Sequence, residues 1–228
     1  MTQTTPPLNI VILGATGAVG TEVMKQLVQM PDVARITVLT RRPLTAVSHD
    51  KIAEHIVDVL DPTTYAHLLA DHDTAICTLG VGAVSSVTKE EFLKIDRDAV
   101  IAFGTACKQA NIKHFELLSS VGVDPKSRMF FLRSKGELED ALKALQFERL
   151  SLFHPSNIIT PTNRYGFGQA IVLKLWPKLN PILIGPLRKY RGIRVETLGQ
   201  AFALNTQHKG QGIEILEWDA FQSLTART

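Results

Sequence analysis

Three glycines, at positions 14, 17 and 20, follow an apolar run at residues 9–13 and open a segment with helical periodicity. Such a run is typical of a strand buried on both faces of a parallel sheet, so the glycines mark a strand-to-helix turn. Gly14 can adopt the angles of a tight turn, Gly17 leaves room for a diphosphate, and Gly20 allows the helix to pack closely on the sheet. The free N–H groups and the dipole of the helix start would face the anion.

The pattern therefore predicts a nucleotide-binding turn, although its spacing is G-x-x-G-x-x-G rather than the commoner G-x-G-x-x-G. A purely structural turn without a ligand is the alternative, and the strand-turn-helix context argues against it. The residues expected to contact the nucleotide here are Gly14, Ala15, Thr16, Gly17, Ala18, Val19 and Gly20.

Two arginines, Arg41 and Arg42, follow the second predicted strand. At this position an acidic residue would accept a hydrogen bond from the ribose 2′-OH of NAD and repel a 2′-phosphate. Guanidinium groups instead bind phosphate through charge-assisted hydrogen bonds. We therefore expect NADP(H) to be preferred over NAD(H), the alternative being that both arginines are solvated surface residues.

The ends of the third and fourth predicted strands supply further expected cofactor contacts. Asp58 and Val59 are placed to touch the adenine, although a carboxylate that caps the next turn explains Asp58 equally well. The fourth strand should run past the diphosphate and the nicotinamide ribose with Cys77, Thr78, Leu79 and Gly80. Cys77 itself fits a small buried apolar residue better than a nucleophile.

Hydroxyl, ammonium and imidazole groups come together further along the chain. The fifth predicted strand ends in Ser119 and Ser120, and Lys135 follows fifteen positions after Ser120 on a predicted helix. The sixth strand stops at His154, and histidine is the side chain best suited to proton exchange near neutrality. These four residues are the catalytic candidates, with a structural role at the strand end as the alternative for His154.

Strand and helix signals alternate along the chain and must position these groups. Strands are predicted over 34–40, 55–59, 74–79, 115–119 and 150–153, and helices over 21–30, 65–69, 90–110 and 129–145. This alternation implies right-handed crossovers and an α/β fold, a Rossmann-like doubly wound parallel sheet with helices on both faces. The ligand crevice then lies at the carboxyl ends of the strands.

The alternation breaks after residue 155, where prolines punctuate the chain. One helix is predicted over 168–176, and the aromatic residues Tyr165, Phe167 and Trp176, with the apolar stretch 182–184, could cover the crevice or simply pack. A helix over 195–205 and a strand over 213–216 follow. We expect a single NAD(P)-binding domain over 1–228, with 156–194 as a substrate-side subregion and small C-terminal extension.

Composition excludes several classes of protein. The 228 residues are 45% hydrophobic and 21% charged, which is typical of a globular chain, and the scattered basic residues give a net charge of only +3. We expect no nucleic-acid partner. Two distant cysteines and seven unclustered histidines indicate neither a disulfide framework nor a metal site.

No targeting signal is evident, and no apolar run reaches the roughly 18 residues of a membrane span. The sequence thus predicts a cytoplasmic protein without a membrane span that acts on a small-molecule substrate. A protein partner or a homo-oligomer stays open.

Four motifs together carry a family resemblance: Gly14-x-x-Gly17-x-x-Gly20, Leu118-Ser119-Ser120, the segment 131–139, and His154-Pro155 before Asn157-Ile158. They resemble the atypical short-chain dehydrogenases/reductases, and most closely the Tat-interacting-protein branch of NAD(P)H-binding oxidoreductases, over nearly the whole chain. In that superfamily a serine holds the substrate carbonyl, a tyrosine is the general acid/base, and a lysine four residues later binds the nicotinamide ribose.

The resemblance assigns the first role to Ser120, or to Ser119, and the last to Lys135. It also implies cofactor contacts by Pro155 and Ile158. Phe131 stands where the tyrosine is expected, and a phenyl ring has no proton to give. The Arg-Pro of the family is replaced by His154-Pro155, which could alter how the substrate or the cofactor amide is held.

Two functions are compatible with Phe131. Quinones and flavins can take their proton from solvent, so an NADP(H)-dependent oxidoreductase acting on a quinone, flavin or carbonyl compound stays open, with Ser120, His154 or Tyr165 as substitute proton donor. The alternative is a redox sensor that binds NADPH, catalyses little and acts through a protein partner. A sugar-nucleotide epimerase or dehydratase is disfavoured because those enzymes need the tyrosine and usually a larger substrate domain.

Overall fold

The computed structural model describes residues 7–82, 87–161 and 180–226. The strands are β1 (Leu8–Leu13), β2 (Val33–Thr40), β3 (Ile52–Ile56), β4 (Thr74–Cys77), β5 (His114–Leu118), β6 (Arg149–Phe153), β7 (Ile158–Ile159), β8 (Ile193–Arg194) and β9 (Gly212–Leu216). Within these residues, seven strands form one parallel sheet in the order β3-β2-β1-β4-β5-β6-β9. The short strands β7 and β8 pair separately, also in parallel.

Helices cover both faces of this sheet. They are α1 (Ala18–Leu27), α2 (Lys89–Leu93), α3 (Ala99–Gln109), α4 (Phe130–Ala144), α5 (Val195–Asn205) and α6 (Trp218–Thr225). The core on one face contains residues of α1, α5 and α6, and the core on the other face contains residues of α3 and α4. The prediction of a Rossmann-like doubly wound parallel sheet is confirmed.

The burial of β1 explains its uninterrupted apolar sequence. Ile10 and Ile12 point into the core beneath α1, whereas Val11 and Leu13 point into the core beneath α3 and α4. All four residues are fully buried. Since successive strand residues face opposite sides, a strand that is covered twice needs apolar residues at every position.

The strand order determines where the ligand crevice lies. From β1 the chain crosses to β2 and β3 on one side, and it then returns to β4 and continues through β5 and β6 on the other. The direction of winding therefore changes between β1 and β4, and a crevice opens beyond their carboxyl ends. The glycine turn after β1 and residues 78–80 after β4 lie at this point.

Three predicted elements differ from the structure. The third strand spans Ile52–Ile56 rather than 55–59, because it is an edge strand with alternating exposure, and Ile56 is 59% exposed. The helix expected over 65–69 is replaced by two single 3₁₀ turns, Pro62–Thr64 and Ala66–Leu68. The long helix expected over 90–110 is present as a continuous helical segment over residues 89–109, in which a π-helical turn, Lys94–Asp98, lies between α2 and α3.

The remaining expectations beyond residue 155 divide into two groups. The helix over 195–205 and the strand over 213–216 are confirmed as α5 and β9. The helix expected over 168–176, with Tyr165, Phe167 and Trp176, lies outside the described residues. No helix in the described parts of the chain is long and apolar enough to cross a lipid bilayer.

Candidate active site

The turn after β1 leaves no space for side chains at two of its glycines. Gly14 has a φ of +97°, and a Cβ there would lie 2.5 Å from the backbone nitrogen of Leu79. A Cβ on Gly20 would lie 2.2 Å from the carbonyl oxygen of Gly14. The hydroxyl of Thr78 donates to that same carbonyl at 3.1 Å, which fixes the turn against the end of β4. The two glycines are therefore required by the backbone itself.

Gly17 differs from the other two glycines. A Cβ there would contact only the Gly14 carbonyl, at 3.3 Å, so its absence leaves open space above the turn. Gly17 is also the N-cap of α1, and among the described residues no side chain caps the free N–H groups of that helix start. An uncapped helix N-terminus beside an open backbone is a site for an anion such as a diphosphate. The residues present fit a dinucleotide cofactor.

Two adjoining cavities meet over this turn. The arginine cavity, about 530 Å³, extends beyond β2 and includes Arg41 and Arg42. The lysine cavity, about 340 Å³, extends beyond β4, β5 and β6 and includes Lys135. Both are lined by Gly17, Thr78, Leu79 and Gly80. A molecule lying across the turn can therefore occupy both cavities.

The arginine cavity presents two cationic side chains. The Thr40 hydroxyl donates to the Arg42 carbonyl at 2.8 Å, and the Arg42 amide lies 3.3 Å from the same hydroxyl oxygen, which holds the loop after β2. Arg41 and Arg42 are exposed, and within the described chain neither guanidinium has a hydrogen-bond or ion-pair partner. Both can therefore bind an anionic ligand.

The lysine cavity contains a buried ion pair that sequence reasoning missed. The Lys135 ammonium lies 3.2 Å from Oδ1 of Asp96, and the Val81 amide donates to Oδ2 of Asp96 at 2.7 Å. Asp96 lies in the π-helical turn, a feature that often marks functional sites. One signal could have found it: Asp96 falls among Phe92, Val100 and Phe103 on the apolar face of the predicted helix, where a carboxylate needs a partner.

Phe131 lines the lysine cavity beside Lys135. Its ring meets that of Phe92 edge to face, with ring centroids 6.0 Å apart. Phe131 therefore occupies the position expected for a tyrosine, and its ring packs against an apolar neighbour. Position 131 itself offers no phenol that could exchange a proton.

Ser119, Glu139 and His154 form a buried hydrogen-bonded cluster next to the lysine cavity. The Ser119 hydroxyl donates to Oε1 of Glu139, and Nε2 of His154 lies 2.7 Å from the same oxygen. Glu139 lies one helical turn after Lys135 on α4. Burial raises the pKa of the Glu139 carboxyl, but His154, Ser119 and Lys143 together outweigh burial, so the pKa lies below its ordinary value. Sequence reasoning did not select Glu139 because glutamate in a helix usually faces solvent.

Most of the site residues predicted from the sequence line these cavities. Those lining one or both are Gly14, Thr16, Gly17, Ala18, Val19, Arg41, Arg42, Val59, Thr78, Leu79, Gly80, Ser119, Ser120, Lys135, Pro155 and Ile158. His154 lines neither, and among the described residues its side chain is connected to the site through Glu139.

Four other selected residues do not line these cavities. Ala15 and Gly20 lie beneath the glycine turn. Asp58 accepts a hydrogen bond from the Leu60 amide at 2.9 Å and thus caps a turn. Cys77 is fully buried, and burial raises the pKa of its thiol to about 12, which suits a packing role.

Sequence comparison identifies relatives of the chain. A family model described as NAD(P)H-binding matches residues 14–149. Protein HTATIP2 of Rattus norvegicus is 30% identical over 173 residues, which is 75% of this chain and 71% of that protein. A protein named fmp52, mitochondrial, of Emericella nidulans is 32% identical over 155 residues, or 66% of each chain. The chain thus spans about two thirds of the length of these curated relatives.

Solved structures share the fold. MoeE5 in complex with UDP-glucuronic acid and NAD superimposes with a TM-score of 0.69 at 17% identity, covering 91% of this chain and 75% of that one. The oxidoreductase ylbE from Lactococcus lactis gives a TM-score of 0.65 at 18% identity, covering 96% and 97%. The chain belongs to the NAD(P)H-binding family and is an atypical short-chain dehydrogenase/reductase, as the motifs of its sequence predicted.

Proposed function

We propose that the protein is an NADP(H)-dependent oxidoreductase that reduces a small acceptor: a quinone, a flavin or a carbonyl compound. The observation that carries this proposal is the continuity of the two cavities across the glycine turn, with the buried Lys135 and the hydroxyl of Ser120 in the second. The acceptor would lie in the lysine cavity.

Individual residues have distinct proposed roles. The N–H groups of the α1 start hold the diphosphate, Lys135 binds the hydroxyls of the nicotinamide ribose, and Ser120 contacts the acceptor oxygen. The cofactor, when bound, supplies the hydride. Asp96 fixes the Lys135 ammonium by its 3.2 Å contact and so acts as a positioning residue.

The preference for NADP(H) over NAD(H) is part of the proposal. Arg41 and Arg42 support it because they line the first cavity and their guanidinium groups have no partner within the described chain. A 2′-phosphate would give both guanidinium groups charge-assisted hydrogen bonds.

One experiment tests the oxidoreductase function. Consumption of NADPH is followed by its absorbance with a panel of quinones, flavins and aldehydes, against the rate without protein. We expect turnover on at least one acceptor and its loss in Lys135→Ala and Ser120→Ala. Tight NADPH binding with no turnover on any acceptor would overturn the proposal.

The second candidate is a redox sensor that binds NADPH and acts on a protein partner. Phe131 favours it, because the cavity holds a phenyl ring where the related reductases have their acid/base group. The same acceptor panel separates the two functions, since a sensor binds NADPH without consuming it.

The proposal also covers the domain organisation and the subcellular location of the protein. We propose one domain over 1–228 in which 156–194 forms the substrate side, and Ser156, Asn157, Ile158 and Thr160 of this region line the lysine cavity. A cytoplasmic location stays a prediction, although the fungal relatives are named mitochondrial proteins. Subcellular fractionation of the native protein tests the location.

A further inference from the structure

We propose, on the basis of the oxidoreductase function proposed above, that Ser119, Glu139 and His154 form a proton-delivery chain for a carbonyl acceptor. The chain would replace the phenol that is missing at position 131. Ser119 would touch the acceptor oxygen, whereas Glu139 and His154 would act through it.

The geometry gives a continuous path. Ser119 lines the lysine cavity, and its hydroxyl donates to Oε1 of Glu139. Nε2 of His154 lies 2.7 Å from that same carboxylate oxygen. One oxygen atom therefore joins a hydroxyl at the cavity wall to an imidazole in the interior. All three residues are buried, so within the described chain no solvent layer separates them.

The choice of residues suits proton transfer better than packing. A buried carboxylate is costly, and apolar residues of similar volume often stabilise a core equally well. Each member of the cluster can gain or lose a proton, which a Gln, Asn or Leu in its place could not do. Lys143, at 3.5 Å from Oε2 of Glu139 and 33% exposed, also connects the carboxylate to the surface.

The proton and electron balance is complete. Hydride addition places two electrons on the carbonyl carbon, and the carbonyl oxygen becomes anionic. That oxygen takes the hydroxyl proton of Ser119, and Ser119 takes a proton back through Oε1 of Glu139. This proton comes from Nε2 of His154 in its protonated form, which becomes neutral imidazole. The cluster regains a proton from solvent through Lys143, which lies 3.5 Å from Oε2 of Glu139 and is 33% exposed. The product is an alcohol, and Ser119, Glu139 and His154 return to their starting protonation states.

The variant Glu139→Gln separates proton transfer from structure. Glutamine keeps the shape and an acceptor oxygen for Ser119, but it cannot relay a proton. We expect kcat for an aldehyde to fall at least about 100-fold, the lower end of what general acid/base catalysis provides. The rate with a quinone, which takes its protons from solvent, and the Kd for NADPH should stay within about twofold of wild type, since neither needs a proton from Glu139.

The matched control is Glu148→Gln, the same chemical change at an exposed carboxylate that pairs with Lys113 at 3.5 Å. It should leave both rates unchanged. The proton-delivery proposal would be overturned by an unchanged aldehyde kcat in Glu139→Gln, or by a wild type that reduces quinones but no carbonyl compound. Either result would leave the oxidoreductase function standing. NADPH binding without turnover on any acceptor would overturn both.

A second measurement needs no turnover. In the protein without cofactor, ¹³C NMR of the Glu139 carboxyl should show a pKa below the ordinary value, because His154 and Ser119 outweigh the effect of burial. In His154→Gln the pKa of that carboxyl should rise. A titration at the ordinary value, or one that His154→Gln leaves unchanged, would contradict the coupling on which the chain depends.

Discussion

Lys135 and Asp96 form an ion pair with 3.2 Å between Nζ and Oδ1, and each side chain is only 6% exposed. The pair joins α4 to the π-helical turn between α2 and α3 at the wall of the lysine cavity. Breaking a buried pair leaves one charge without compensation, whereas an exposed pair is screened by water. The two residues therefore make a testable contribution to stability as well as to the site.

Replacing Asp96 by Asn should lower the free energy of unfolding by about 3 kcal/mol, because the Lys135 ammonium stays buried without its counter-charge. Urea denaturation measures the loss. The control is Asp98→Asn, which removes a 52% exposed carboxylate paired with Arg97 and should cost less than about 1 kcal/mol. Equal losses in the two variants would contradict a structural role for the buried pair.

Two glycines of the turn should respond differently to alanine. Gly20→Ala should unfold or strongly destabilise the protein, since its Cβ would lie 2.2 Å from the Gly14 carbonyl. Gly17→Ala has a nearest contact of 3.3 Å and should fold, yet its methyl group enters the space above the turn. We expect thermal unfolding near wild type for Gly17→Ala and a Kd for NADPH at least about tenfold weaker, or 1.4 kcal/mol. Equal cofactor affinity in this variant would place the diphosphate elsewhere.

The arginine cavity gives a prediction about cofactor choice. Arg41→Ala and Arg42→Ala should each weaken NADPH binding by about tenfold or more, because a hydrogen bond to a charged group contributes about 1.5–3 kcal/mol. NADH binding should hardly change. Arg128→Ala, at an exposed residue outside both cavities, is the matched control. Parallel losses for the two cofactors, measured by calorimetry, would argue against a 2′-phosphate site.

A phenol restored at position 131 should bypass the missing donor. Phe131→Tyr places a hydroxyl in the lysine cavity beside Lys135, so carbonyl reduction should begin or increase. The double variant Phe131→Tyr with Glu139→Gln should reduce the aldehyde at least about tenfold faster than Glu139→Gln alone, because general acid catalysis no longer depends on the cluster. Steady-state kinetics with an aldehyde decide the matter. No gain in a folded Phe131→Tyr protein would mean that the ring lies outside reach of the acceptor oxygen.

Much of the fold and the cofactor side could be predicted because both follow from local sequence. The glycine turn depends on one strand, one turn and one helix that are adjacent in the chain. Arg41 and Arg42 directly follow the strand that places them. Edge strand β3 was misplaced by three residues because its alternating exposure resembles a loop more than a buried strand.

The rest of the site depends on pairing across the fold. Asp96 and Lys135 come from different helices, and Ser119 and Glu139 are 20 positions apart. In sequence, Glu139 looks like a solvated position on an amphipathic helix, and Asp96 stands on an apolar helix face with no visible partner. Only the packing of α4 on the sheet and on the π-helical turn makes them neighbours, and no local pattern encodes that packing.

Glu116 should make the free energy of unfolding depend on pH. It lies on β5 with no exposed surface; Asn205 donates to its Oε1 at 2.8 Å, and within the described chain Oε2 has no partner. Burial raises the pKa of this carboxyl well above its ordinary value, although Asn205 and Arg149 oppose the shift. A folded pKa above the unfolded one gives stability that is complete below the unfolded pKa, about 4.3, and is lost as the pH rises toward the folded pKa.

The free energy of unfolding should therefore contain a term that decreases above about pH 4.3 in the wild type and is absent in Glu116→Gln. The difference between the two proteins should grow in favour of the glutamine variant as the pH rises, and urea denaturation at several pH values measures it. Glu148→Gln, an exposed residue paired with Lys113 at 3.5 Å, is the control and should run parallel to wild type. If Glu116→Gln also runs parallel to wild type, the carboxyl is not held neutral in the core.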